Sequence, residues 1–409
     1  MHLPVDTLRY IISFLLCSDK VEDISLIAYT SDPSEYRGHP LAITPAPLIP
    51  NQQVTHIDEY PIFHGVPSVK RDGDTIVLQA DIIATTYYLL SRYDEYESTA
   101  PLDVHSRFLP ENSLLGKNDL LTTPLLDLYT EMIYRLLNRP KPRRKSHIYL
   151  THDIDMLTRY RRPRGFFGGL YRVIKGINPD PLSTILKSIA NRNEDPAYTF
   201  PMLQHIDAEL PEAEVIYFAK PDNTPIAQLD RPIYSLSSSD FKELANLPIG
   251  LHSLYSTCDY PDTLRNQFAA IEQLPNHNTY HRSHYLRILP PTQMNRYSDV
   301  GITDDFTLAY ASTPGFRLGT ARPTHAIDPS TGTLLPLVLH PLTIMDTTLS
   351  DPRYLNLSEQ ESFDVTTSLI DTSLKYEGDI NLLFHNTSFK KDSYHCSLYT
   401  FIVNYLKSL

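Results

Sequence analysis

Apolar residues recur at helical spacing in some stretches of the chain and run together in short blocks in others. The two patterns alternate over its second half. Leu125, Tyr129, Met132 and Leu136 recur at helical spacing after Thr123, which can cap, and Pro124, which suits a first turn; Asn138 and Pro140 end the pattern. Further helices are predicted over residues 85–96 and along the stripe Leu264, Phe268, Ile271 and Leu274. Ser358 and Glu361 form a capping box that opens another helix, which Gly378 can end. Short apolar runs predict strands at 75–78, after the Asp72-Gly73 turn, and then at 148–151, 215–219, 249–252, 284–288 and 380–384. Strands alternating with helices imply a parallel sheet with crossover connections. In a barrel or a doubly wound sheet of that kind, chemistry gathers at the C-terminal strand ends.

A chain of 409 residues exceeds the usual growth of one core, so two domains are expected. The charged, proline-containing run Lys141-Pro142-Arg143-Arg144-Lys145 separates a helix from a strand and reads as an exposed linker. This gives a smaller α/β accessory domain at 1–140 and a larger one at 146–409. Net charge of −12 sets an average field that repels phosphate, which argues against a nucleic-acid partner. Cys17, Cys258 and Cys396 are odd in number and far apart, as expected in a reducing compartment. The apolar run from Tyr10 to Cys17 is too short to span a bilayer and lacks a cationic flank and a cleavage site. It reads as a helix docked on a core. A cytoplasmic location is the expectation.

Candidate chemistry is densest at Thr151-His152-Asp153-Ile154-Asp155, where an apolar strand runs into two carboxylates. In extended backbone Asp153 and Asp155 share a side. Two such charges about 4 Å apart repel by roughly 4 kcal/mol at intermediate dielectric, and a metal ion or guanidinium resolves this. Ionisable groups recur near predicted strands elsewhere: His252, then His281, Arg282 and His284, then Asp305, then His385. A single such histidine is usually a satisfied core residue, whereas the recurrence at several strand ends points to a site. The cluster Arg92, Asp94, Glu95, Asp103, His105 and Arg107 reads as an ion-pair network at the domain interface. The stretch from Arg159 to Lys175 interleaves Arg161, Arg162 and Arg164 with Phe166, Phe167, Leu170, Tyr171 and Ile174. It reads as a solvated lid or inserted helix, with peripheral contact to an anionic membrane as the alternative.

These residues resemble the polysaccharide deacetylase superfamily, and within it a divergent branch carrying an extra N-terminal domain. The resemblance spans essentially the whole chain: 88–96 and 103–108, the Thr-His-Asp-Ile-Asp strand, 250–256, 282–287, 305–317 with Gly319, and Phe384-His385-Asn386. It implies a distorted (β/α) barrel preceded by the smaller α/β domain. It implies Asp153 as general base, Asp155 and His252 as ligands of a divalent metal, most simply zinc, Arg282 as the group holding the base ionised, and His385 as general acid. The superfamily pattern has a further histidine four residues after the first, where this chain has Ser256. Water, His152, His284 or Asp305 are the candidates to replace that ligand, since zinc accepts nitrogen and oxygen donors. The implied activity is removal of an acetyl group from the nitrogen of an N-acetylated sugar in a polysaccharide or glycoconjugate precursor. A carbohydrate-binding protein with a degenerate metal site is the alternative from another class, and hydrolysis of another carbon–nitrogen amide bond is the third.

Overall fold

The computed structural model describes residues 3–178, 180–221, 226–231, 234–389 and 393–409. The first third of the chain supplies strands β1 (Ile27–Tyr29), β2 (Leu41–Ile43), β3 (Thr55–Ile57), β4 (Tyr60–Ile62), β5 (Gly65–Asp72) and β6 (Thr75–Ala80). Four of them form a sheet in the order β1-β2-β6-β5, and β3 pairs with β4. Gly73, with φ +60°, makes the tight turn between β5 and β6. The helices Val5–Leu16 and Leu125–Leu137 bury Ile11, Leu15, Leu126, Tyr129 and Ile133. One continuous buried cluster joins those side chains to Ile249, Leu251 and Leu339 of the larger sheet.

The larger sheet holds β7 (Ile148–Ile154), β8 (Glu214–Ala219), β9 (Ile249–Ser253), β10 (His277–Ser283), β11 (Asp304–Asp305), β12 (Thr324–Ile327), β13 (Leu334–Leu339), β14 (Ile344–Met345) and β15 (Ile380–Leu383). Its order is β12-β13-β11-β10-β9-β8-β7-β15-β14, and every pairing except β12 with β13 is parallel. The architecture is therefore mixed α/β, and the sheet curls into a half-barrel. Among the described residues its edge strands β12 and β14 do not pair with each other, so the sheet stays open.

Two predicted elements differ. The expected strand at 284–288 is instead a tight turn, because the chain leaves the sheet at Ser283 and Tyr285 and Leu286 both take positive φ. The expected helix at 85–96 begins earlier, capped by the Asp81 side chain at Ala84 N–H, and breaks at Arg92 (φ +55°) before a short turn at Tyr93–Glu97. The capping box at Ser358 and Glu361 forms. Glu377, not Gly378, carries the positive φ after that helix, while Gly378 leaves room for Ala321. The run at 141–145 is only partly exposed: Arg143 projects to solvent, but Arg144 pairs with Asp379 at 2.6 Å.

The register of β9 against β10 sets His252 beside Arg282. Gly250, on the same strand, fits because a Cβ there would lie 2.8 Å from the Phe218 ring and 2.9 Å from the Tyr280 carbonyl. Gly250→Ala is expected to cost about 1–3 kcal/mol through overpacking against groups that cannot turn aside. Chemical denaturation of the variant beside the parent protein measures it.

Candidate metal centre

The strands end where the charged side chains begin. Asp153 lies one residue before the end of β7 and Asp155 just beyond it, Lys220 follows β8, His252 lies near the end of β9, Arg282 near the end of β10, and His385 just beyond β15. The parallel register turns these chain-distant residues toward one mouth.

Asp153, buried, lies 3.2 Å from Arg282 Nη1 through Oδ1, and its Oδ2 lies 3.5 Å from His252 Nε2 and 3.9 Å from His385 Nε2. Arg282 is fully buried, donates to the Phe306 carbonyl and Thr151 Oγ1, and stacks over the Phe218 ring. The His252 ring is oriented by Nδ1–H donating to the Arg282 carbonyl at 3.1 Å, which turns Nε2 inward with no hydrogen-bond partner. That is the arrangement of a metal-ligating imidazole whose second nitrogen is held by the backbone.

Asp155 Oδ1 is 3.7 Å from His252 Nε2, 3.4 Å from His284 Nε2 and 2.8 Å from the buried Lys220 ammonium. The donor atoms of Asp155, His252 and His284 all lie within 4.8 Å of one another. Burial would raise the Asp155 carboxyl, but the Lys220 ammonium and the two imidazoles hold it well below the usual carboxylate range. Burial and the same ammonium push His284 down to about 4, so its ring is neutral at physiological pH. One carboxylate and two imidazoles, with His252 Nε2 free of any hydrogen-bond partner, form a donor set that fits zinc and leaves a coordination position open. Lys220 complicates the fit. Its ammonium lies 3.1 Å from His284 Nε2, the same lone pair that a metal ion would use.

His385 Nδ1 contacts Asp346 Oδ1 at 2.7 Å, and its backbone N–H donates to the other oxygen. Burial alone would lower its pKa. The Asp346 carboxylate, backed by Asp155 and Asp153, instead raises it to about 10, which leaves an imidazolium facing Asp153.

The structure brings Asp153, Asp155, His252, Arg282, His284 and His385 together. It does not bring the other candidates to the cluster. His152 lies on the opposite face of β7, with Nδ1 at the Phe384 carbonyl and Nε2 at Asp207. Ser256 donates to Asp230, and Asp305 accepts from His281 and Thr307. Lys220 and Asp346 were not singled out from the sequence. Lys220 directly follows a predicted strand, but that position alone gives no sign of burial, and Asp346 carries no local signal.

A cavity of about 210 Å³ opens over the cluster and is lined by Asp153, Asp155, His284 and His385 together with Arg107, Arg353, Tyr285 and Tyr354. Arg107 comes from the first third of the chain. It pairs with Asp103 and donates to the Tyr285 carbonyl at 2.8 Å, so part of the predicted ion-pair network reaches the cavity wall. Elsewhere in that network Glu95 bridges Arg92 and Arg317.

Comparison with known proteins gives one family model, a family of unknown function (DUF7033), over residues 5–142, about a third of the chain. No curated protein matches. Among solved structures the chain is similar to one described as a "putative polysaccharide deacetylase from Mycobacterium smegmatis", at 12% identity and a TM-score of 0.42, covering 66% of this chain and 87% of that one. A score that low carries no functional weight, so assignment rests on the side chains.

The His385 pairing makes a prediction. A raised pKa means the Asp346 contact stabilises the fold fully below the unfolded histidine value of about 6.5, and that contribution is lost as pH rises through about 10. Imidazole NMR of the parent protein should show His385 titrating far above the other histidines. Asp346→Asn should return it towards the ordinary range; an unchanged titration would remove Asp346 as the cause.

Proposed function

We propose that the protein is a metal-dependent hydrolase that removes an N-acetyl group from a sugar of a polysaccharide or glycoconjugate precursor. The observation that carries this reading is the group Asp155, His252 and His284 beside an arginine-held carboxylate, Asp153, and a carboxylate-held imidazolium, His385. Asp155, His252 and His284 would hold a divalent cation, which when bound supplies Lewis acidity toward the acyl oxygen. Asp153, held in place by Arg282, accepts the proton of the attacking water. His385 donates a proton to the leaving nitrogen, and Asp346 fixes its ring so that Nε2 faces the cleft. Arg107 and Arg353 give the cavity wall hydrogen-bond donors suited to sugar hydroxyls, and Tyr285 and Tyr354 give it ring faces. The division at 141–145 belongs to the same reading: the first part of the chain supplies a wall of the cavity through Arg107, and the second supplies the reacting groups.

One observation favours a second reading. Lys220 already neutralises Asp155 at 2.8 Å, so the cluster is electrically satisfied by the chain itself. On this reading the cleft binds glycans without catalysis.

Bound zinc per chain and acetate released from N-acetylglucosamine oligomers separate the two. The hydrolase reading predicts about one zinc per parent chain, lost in Asp155→Asn with His252→Ala. It predicts zinc retained in Asp153→Asn with acetate release reduced by roughly 10²–10⁴-fold. Lys220→Met should bind zinc about tenfold more tightly or better, because a competing cation is gone. Zinc bound by neither the parent nor Lys220→Met, with oligomer binding intact, would establish the second reading instead.

A further inference from the structure

Two helices inserted after β7 turn their apolar faces outward. In Pro163–Ile174 the residues Phe167, Tyr171 and Ile174 are 67%, 60% and 82% exposed, at i, i+4 and i+7. In Leu182–Ala190 the residues Leu182, Leu186 and Ile189 repeat that spacing and are each about half exposed. What packs inward is little: Gly169 lies against the Tyr160 ring and Ile185, and Ser188 is buried. A helix of a globular protein normally buries its apolar stripe, so two adjacent stripes facing solvent mark a contact surface.

The charge around the stripes identifies its partner. Residues 159–192 hold eight basic side chains and one acidic in a chain of net charge −12. Arg159, Arg161 and Arg192 are spent on Asp180, Asp240 and Glu243 and fasten the base of the pair. Arg162, Arg164, Arg172, Lys175 and Lys187 have no carboxylate at ion-pair distance among the described residues. A second copy of the chain would set these cations against their own kind across a two-fold axis, which is unfavourable. An apolar face rimmed by unpaired cations matches the acyl boundary and the headgroups of an anionic bilayer. Neither helix is long enough to cross one, and no described helix is long and apolar enough to do so.

We propose that this helix pair docks on the surface of an anionic phospholipid membrane, with Phe167, Tyr171, Ile174, Leu186 and Ile189 at the acyl boundary and the free Arg and Lys side chains at the headgroups. The pair is fastened just past Asp155: the Arg159 and Tyr160 N–H groups donate to Asp195 at 2.7 and 2.9 Å. Docking therefore brings the strand that carries Asp153 and Asp155 to the membrane. The docking surface does not depend on what the cluster does chemically.

Sedimentation with vesicles tests it, using phosphatidylcholine alone and phosphatidylcholine mixed with phosphatidylglycerol. The parent protein should bind the anionic vesicles and not the neutral ones, with binding lost at about 0.5 M salt. Arg162→Glu with Arg164→Glu and Lys175→Glu should weaken binding by roughly 100-fold or more. Phe167→Ser with Ile174→Ser should weaken it as well, and circular dichroism unchanged from the parent keeps either result interpretable. No binding to anionic vesicles, or equal binding to both kinds, overturns the proposal. A concentration-dependent dimer in sedimentation velocity that Phe167→Ser with Ile174→Ser dissociates, without vesicle binding, would make a second copy the occupant and overturn it too.

Discussion

Everything at the mouth of the sheet depends on how the charge of Asp153 and Asp155 is balanced. The two carboxylates leave one strand two residues apart, and each has acquired a different cation. Asp153 has Arg282, a guanidinium with its remaining contacts taken by a carbonyl, a hydroxyl and an aromatic face. Asp155 has the Lys220 ammonium together with the rings of His252 and His284. The first pairing is held in place, because Arg282 Nε and Nη1 are both anchored. The second is exchangeable in kind, because a point charge on a flexible stem occupies a place that a divalent ion could take.

The surroundings serve that balance. Tyr234 accepts the backbone N–H of Lys220 and donates to the Ile154 carbonyl, which ties β8 to β7 directly behind the ammonium. Asn386 accepts from the Asp155 N–H and donates to the Met156 carbonyl, so the chain beyond β7 cannot drift. Tyr285 and Leu286, both at positive φ, hold the turn that presents His284, and Arg107 from the first third of the chain caps the Tyr285 carbonyl. Strain of this sort persists where surrounding contacts over-determine it. The first third of the chain is thus coupled to the site through the Arg107 side chain's hydrogen bond to the Tyr285 carbonyl and the Glu95 bridge as well as through shared apolar packing.

Much of this was legible in the chain. Apolar runs ending in Asp153, His252 and His385 mark strands with polar C-terminal ends, because parallel strands buried on both faces leave no other place for such groups. The turn at 284–286 was not legible, since His284 to Ile288 has a strand-like composition and only the pairing of β10 with β11 decides where the sheet stops. The position of His284 as the third donor follows from that turn, so it could be named as a candidate but not preferred over His152 or Asp305. Lys220 was hidden for a different reason. One lysine after a strand is ordinarily solvated, and its burial against Asp155 depends on Tyr234 and His284, which distant parts of the chain bring to it. The helix pair after β7 was legible as interleaved basic and aromatic residues, while the direction its stripes face needed coordinates.

The central claim is that Asp155, His252 and His284 form one cation site for which Lys220 stands in. Anomalous diffraction at the zinc edge, from crystals grown with zinc, tests it most directly. The account predicts a peak within coordination distance of all three donors, with the Lys220 ammonium turned away from Asp155 and His284. No peak there, with Lys220 still between those two side chains at saturating zinc, would contradict it.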